Sequence, residues 1–457
     1  MADFNNFMKD LTQSIKNTEV EEVKVEVPPV VSPSVSFVSP SKIVKILIVS
    51  THINQINGYS KVVYNLIKQL AQHPWMRIVH FGTQKLPNVD LQRQYPNRVK
   101  VIDASALDKD KSNTLGFGFT ELPGVISSEK PDIVFIYNDL SVICAYVENI
   151  KKVFESRSFK IWAYADITYL SPPSHMIDMI NRDVDRVFCF TKTWRLALKS
   201  QGITRPVHVM THGVDTDVFK PMSKELARAS LNLPNNVFLF TSLNSNIPRK
   251  RLDLLIISFA KLITKFPMKP IFMLIVADKG DRSGGFPLFD IFAREIKLNN
   301  ASVDMFGNRL LVTDKQNVFS DDNINMLYNC ADAGVSCADG EGFGLCSFEQ
   351  MASGVPQIVP DINGYSEYCT SSNSQLVKPL TRYYIPQSHN SVTGEAQMVD
   401  TNDVCKAMER YVFDENVLKL HGKLAKETVT AYNWQTCISP MMKLLKRMIQ
   451  DDDDDDN

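Results

Sequence analysis

The apolar residues of this chain fall into short continuous runs, separated by segments whose apolar positions recur at helical spacing. KILIVS (45–50) leads into the polar, glycine-containing loop THINQINGYS (51–60) and then KVVYNLIKQLAQH (61–73), which has a helical period. RIVHFGT (77–83), PDIVFIYND (131–139), KIWAYAD (160–166), RVFCFT (186–191) and PVHVMTHG (206–213) read as further strands. Near-continuous apolar strands are expected of a parallel sheet covered by helices on both faces. After residue 220 the pattern restarts. VFLFTSL (237–243) predicts a strand, RLDLLIISFAKLITKF (251–266) a helix and PIFMLIVAD (270–278) a strand. RLLVTD (309–314), INMLYNCA (324–331) and DAGVSCA (332–338) follow, and then the stretch DGEGFGLCSFEQMASGVP (339–356). Two α/β units joined near 214–235 predict a pair of Rossmann-like domains with a cleft between them, ligands lying at the carboxyl ends of the strands.

The two ends of the chain depart from this pattern. VEVPPVVSPSVSFVSPS (25–41) mixes Pro, Ser and Val without period, so residues 1–41 read as an extended tail, with an edge strand as the alternative. The acidic run at 451–457 reads as a solvated tail. The chain has 457 residues, 44% hydrophobic and 22% charged, which suits about two globular domains. A net charge of −1 offers no field for nucleic acid, and no basic cluster is interleaved with aromatics. The eight cysteines contain no C-x-x-C pair, so reduced thiols and a cytoplasmic setting are the simplest expectation. No run reaches the length of a membrane span, which leaves only peripheral membrane contact open.

Three strand-end segments carry candidate chemistry. Gly58 stands where the first loop enters a helix and would let backbone N–H groups approach a phosphate, although a plain turn glycine fits equally. NSNIPRKRLD (244–253) gathers Arg249, Lys250 and Arg251 at a strand end, where they would neutralise a diphosphate or form a solvated cap beside Asp253. In EGFGL (341–345), glycines flank Phe343 just before a helix, and the free N–H groups there suit phosphate or sugar oxygens. Glu341 lies in that loop and Glu349 about two turns into the helix, so each would reach a different part of one ligand. Spacing alone is equally compatible with an exposed loop acid and a surface helix residue.

EGFGLCSFEQMASGVPQIV (341–359) resembles the E-x7-E region of the retaining, nucleotide-sugar-dependent glycosyltransferases of family four, which have the GT-B fold. In the same order as in that family, THGVDTDVFKP (211–221) resembles its interdomain motif and PRKRLDLLIISFAKL (248–262) its basic phosphate motif. NMLYNCADAGVSCADGEGFGL (325–345) resembles the approach to its glutamate loop. The resemblance is close over about 207–360 and weaker over 45–200. It implies an α/β GT-B fold with an acceptor domain at 42–215 and a donor domain at 216–432. A helix at 433–450 would cross back to the first domain. Glu341 would hold the donor sugar, Glu349 the nucleotide ribose, and the backbone of Gly342, Phe343, Gly344 and Leu345 the sugar and diphosphate. Lys250, with Arg249 beside it, would face the leaving diphosphate, and Gly58 matches one glycine of the N-terminal diphosphate loop. Two departures stand out. Many relatives carry an arginine where this chain has Asn244 or Ser245, and Arg249 or Arg251 would have to replace it. Many also carry a histidine at the strand end occupied here by Asp166, for which helix capping is the competing reading.

The implied reaction is transfer of a sugar from a UDP- or GDP-linked donor to an acceptor hydroxyl, as in retaining hexosyltransferases. The anomeric configuration is retained, no metal is needed and no protein nucleophile takes part. A non-catalytic sugar-nucleotide binding protein is the alternative. A dinucleotide-dependent oxidoreductase is disfavoured because THINQINGYS lacks G-x-G-x-x-G. Donor base, donor sugar, acceptor and oligomeric state are not encoded legibly. The variable loops LGFGFTELPG (115–124) and YLSPPSHM (169–176) are candidates for reading the acceptor.

Overall fold

A computed structural model describes residues 42–87, 91, 93–108, 115–277, 284–313, 319–386 and 392–450. Both expected tails, including the alternative edge strand, lie outside these residues. The first half builds a seven-stranded, all-parallel sheet in the order β3-β2-β1-β4-β5-β6-β7. Its strands are β1 (Val44–Thr51), β2 (Met76–Thr83), β3 (Val99–Asp103), β4 (Ile133–Asp139), β5 (Lys160–Asp166), β6 (Arg186–Cys189) and β7 (Val207–Val209). The central strands are buried along nearly their whole length, which is why they read as unbroken apolar runs. β3 escaped sequence reading because it is an edge strand whose five residues are all at least partly exposed.

The second half builds a six-stranded parallel sheet in the order β10-β9-β8-β11-β12-β13. It comprises β8 (Phe238–Leu243), β9 (Ile271–Val276), β10 (Leu310–Val312), β11 (Ala333–Val335), β12 (Gln357–Pro360) and β13 (Ser374–Val377). An antiparallel hairpin, β14 (Pro379–Ile385) and β15 (Gly394–Val399), stands outside both sheets. The strand order reverses between β1 and β4 in one sheet and between β8 and β11 in the other. Loops part to opposite faces at such switch points, leaving a crevice at the carboxyl ends of the strands.

The helices that border the cleft are α1 (Gly58–Leu70), α2 (Leu140–Val153), α3 (Ser174–Asp183), α4 (Lys192–Ser200), α5 (Leu252–Lys265), α6 (Asp321–Asn329) and α7 (Leu345–Ala352). The segment expected as one helix at 433–450 is two, α8 (Trp434–Cys437) and α9 (Ser439–Gln450). Pro440 sits at the second position of α9, where the missing N–H costs nothing. α8 packs on α1 and α9 on β1, so the chain crosses back to the first domain. Met441, Leu444 and Leu445 of α9 join the same buried cluster as Ile46, Val62 and Leu66. Gly213, in the connection between the halves, lies so close to Trp434 that a Cβ would come within 2.6 Å of its backbone nitrogen. No helix among the described residues is long and apolar enough to cross a membrane.

Candidate active site in the cleft

The two switch points face each other. After β8 the chain makes a single 3-10 turn, Pro248–Lys250, which Arg251 ends in the left-handed region at φ 47°. That turn directs Arg249 and Lys250 to one target. Arg249 Nη1 and Lys250 Nζ each lie 2.7 Å from Glu341 Oε2, and Arg249 also donates to the Gly340 carbonyl at 2.8 Å. Glu341 is only 8% exposed, so the reading of an exposed loop acid does not hold. Burial alone would raise its pKa, but Lys250 and Arg249 together outweigh burial and hold the carboxyl below its ordinary range. Arg251 is turned aside to Asp253, at 2.7 and 3.0 Å, and does not join this cluster. Asn244 turns its amide back to Ser242 Oγ at 3.1 Å.

Glu349 is 3% exposed on α7, which excludes a surface helix residue. Its partner comes from the other domain. Lys61 Nζ, one turn into α1, lies 2.9 and 3.0 Å from the two Glu349 oxygens, while Tyr328 donates to Oε2 at 2.9 Å. Asp321 at the start of α6 is 3.4 Å from the same ammonium and also holds Arg93. Burial disfavours the Lys61 charge, yet Glu349 and Asp321 outweigh it and the lysine pKa rises. Burial drives the Glu349 pKa upward, with Asp321 adding to the shift. One ammonium thus serves two carboxylates.

The glycine-rich loop fits between the domains with no room to spare. Gly344, at φ 83°, opens α7, and a Cβ there would meet the Tyr365 ring at 2.4 Å. The Gly342 carbonyl accepts from Trp194 Nε1 of α4 at 2.8 Å, and a Cβ on Gly342 would lie 1.8 Å from Asp166 Oδ1. The Phe343 side chain is buried against His212 and Phe190 of the first domain and Phe348 of α7, so only its backbone is available to a ligand. Leu345 begins α7 and faces Gly58, whose added Cβ would make an ordinary 3.5 Å contact with it. Neither backbone conformation nor space demands glycine at position 58 here. The loop asparagine before it, Asn57, caps α1 by accepting from the Ser60 amide.

Opposite the glutamate loop, Asp139 and Asp166 end β4 and β5 in direct register. Tyr59 donates to Asp166 Oδ2 at 2.8 Å, and Asp166 Oδ1 is buried without a hydrogen-bond partner. Burial, then the neighbouring Asp139, pushes the Asp166 pKa up to about 7, and burial raises that of Asp139 too. Helix capping does not explain Asp166, since the next helix begins only at Ser174. Among the site residues that sequence reasoning missed, Tyr59 and Lys61 follow Gly58 in the first turn of α1. Asp139 ends its strand just as Asp166 does, a signal that was available. Trp194 acts on a backbone oxygen of the other domain, which leaves no trace in sequence. Among the described residues no group of three or more His, Cys, Asp or Glu side chains is placed to hold a metal.

Two parallel-sheet Rossmann-like domains with facing strand ends define the GT-B architecture. The structure superposes on sucrose-phosphate synthase from Thermosynechococcus elongatus with a TM-score of 0.67 at 16% identity, covering 89% of this chain and 99% of that one. It also superposes on Anabaena HepE in complex with UDP and glucose with a TM-score of 0.62 at 14% identity, covering 88% and 99%. At sequence level, residues 223–383 match the family Glycosyl transferases group 1. The chain is 24% identical over 274 residues to D-inositol 3-phosphate glycosyltransferase of Gordonia bronchialis, covering 59% of this chain and 53% of that protein. The chain thus spans about half the length of this curated relative.

Proposed function

We propose that the protein is a retaining glycosyltransferase that moves a sugar from a nucleoside-diphosphate donor to an acceptor hydroxyl. One observation carries the reading. Glu341, Arg249 and Lys250 converge at one switch point, directly across the cleft from the paired carboxylates Asp139 and Asp166 at the other. The N-terminus of α7, opened by Gly344, adds a favourable dipole for the diphosphate.

In this reading the donor sugar hydroxyls hydrogen-bond to Glu341 and the ribose to Glu349. Arg249 and Lys250, already held at the site by Glu341, face the oxygen that leaves with the diphosphate. As the bond from the anomeric carbon to that oxygen lengthens, the carbon gains oxocarbenium character and the oxygen gains negative charge. The two cations and the helix dipole stabilise that charge. The acceptor hydroxyl adds from the same face, and the leaving oxygen takes its proton, so no protein nucleophile is needed. Closure of the domains keeps water from the anomeric carbon. HepE, whose structure contains UDP and glucose, gives the donor a precedent within this fold.

The reading is tested with a panel of UDP- and GDP-sugars and mixed acceptors, scoring thermal stabilisation, released nucleoside diphosphate and the anomeric proton of the product. Stabilisation by one donor, turnover and an unchanged anomeric configuration are expected. Tight donor binding without hydrolysis or transfer to any acceptor would instead identify a non-catalytic sugar-nucleotide binding protein. Glu341→Ala should lower kcat by about 10²-fold or more, in line with the loss of a hydrogen-bonding group at a reacting centre.

A further inference from the structure

The β14–β15 hairpin belongs to the donor half but packs on the acceptor half. The Glu395 amide donates to the Leu170 carbonyl at 2.8 Å, and the Gln397 amide to the Asp339 carbonyl at 2.8 Å. Tyr383 of the hairpin donates to one oxygen of Asp339, and Tyr169 of the first domain to the other at 3.0 Å. Gly394 (φ 145°) makes the closest approach. A Cβ there would lie 2.3 Å from the Leu170 oxygen. The hairpin is therefore fastened to the strand-end loop that follows β5.

Beneath it lies a recess of about 30 Å³, lined by Leu140 and Ser141 at the start of α2, Asp166, Pro172, Met176 and, from the hairpin, Thr393. That is room for a small group such as a hydroxymethyl arm. Asp166 lines this recess with its Oδ2 accepting from Tyr59, while its Oδ1 is buried without a partner against Gly342. No lysine or arginine is among the described lining residues. The nearby cation, Arg249, is already engaged by Glu341 and the Gly340 carbonyl. A phosphate or carboxylate brought here would face Asp166 with Asp139 beside it and the nearby cation already paired, whereas a neutral hydroxyl would donate to the carboxylate.

We propose that this recess is the acceptor subsite, that the β14–β15 hairpin completes it, and that it takes an uncharged hydroxyl-bearing acceptor with an apolar flank. The inference rests on the glycosyltransferase reading above. The hydroxyl arm sits against Asp166, while Leu140, Pro172 and Met176 cover the adjoining apolar surface. Because the hairpin comes from the donor half, the subsite is complete only when the two halves are together.

The test compares octyl glycosides with sugar phosphates as acceptors for the wild-type protein, and repeats the comparison with Thr393→Trp and Met176→Trp, each of which would fill the recess. Octyl glycosides should show an acceptor KM at least tenfold below that of the sugar phosphates. Each tryptophan variant should raise the octyl glycoside KM at least tenfold while leaving the donor Kd unchanged. Preference for sugar phosphates, or an acceptor KM within twofold of wild type in a folded tryptophan variant, would overturn the subsite and leave the transfer reading standing. Donor binding with no turnover on any acceptor would overturn both. The wild-type comparison decides even if neither variant folds.

Discussion

Among the described glycines at the meeting of the halves, Gly342 leaves the least room for a side chain, because Asp166 stands against it. With a Cβ placed 1.8 Å from the Asp166 carboxylate, Gly342→Ala cannot be accommodated in the closed arrangement. We expect at least a tenfold fall in transfer rate together with a lower thermal midpoint, measured by steady-state kinetics and calorimetry. Asp166→Asn speaks to charge. The folded-state pKa near 7 exceeds the unfolded value near 4, so between these pH values the folded protein binds more protons than the unfolded chain. Stability attributable to this group is fully present at low pH and lost as pH rises through about 7. Asp166→Asn should therefore gain thermal midpoint relative to wild type at pH 8, gain less at pH 5 and gain nothing below about pH 4. A difference independent of pH would contradict the assignment. Glu341, Lys250 and Arg249 were legible because charged residues at strand ends are conspicuous in sequence. Lys61 was not, because its partner Glu349 lies 288 residues away.

At the level of elements, β1, β2 and β4 to β7 of the first sheet and β8 and β9 of the second could be read because they are largely buried and thus lack polar interruptions, whereas the edge strands β3 and β13 and the four-residue β12 were not read. The β14–β15 hairpin could not, for the opposite reason: β14 has no fully buried residue and therefore no apolar signature. The first turn of α7 was read as an anion site from its glycines, and it carries its own reporter. Cys346, its second residue, is exposed, whereas the other seven cysteines are buried. Iodoacetamide should therefore modify Cys346 first. A bound donor whose diphosphate sits at this helix end should slow that modification at least fivefold, as read by peptide mass spectrometry. Equal rates with and without a stabilising donor would place the diphosphate elsewhere.

For the whole molecule, closure rests on cross-domain contacts: Lys61 to Glu349, Arg93 to Asp321, Trp194 to the Gly342 carbonyl and Phe343 against His212. None was visible as a pair in the sequence, since each joins segments from different domains. Lys61→Met strips a buried carboxylate of its main cation. Losing one member of a buried pair costs about 3–5 kcal/mol. The variant should show a larger radius of gyration by small-angle scattering and a lower thermal midpoint. Double replacement with Glu349→Gln should recover much of the midpoint but not function. A variant as compact and as stable as wild type would show that the pair does not hold the halves together.

The return of α9 to β1 also bears on how the protein is made. Met441, Leu444 and Leu445 fill one face of the first sheet, and burial of such side chains contributes roughly 1.5–3 kcal/mol each. On the ribosome, β1 emerges early, but the helix that covers it is translated only after the entire second domain. The N-terminal half must therefore carry an unfinished apolar face while the C-terminal half is synthesised and folds. That packing waits until α9 has emerged, and the nascent chain exposes a surface that chaperones recognise for longer than either domain's size would suggest.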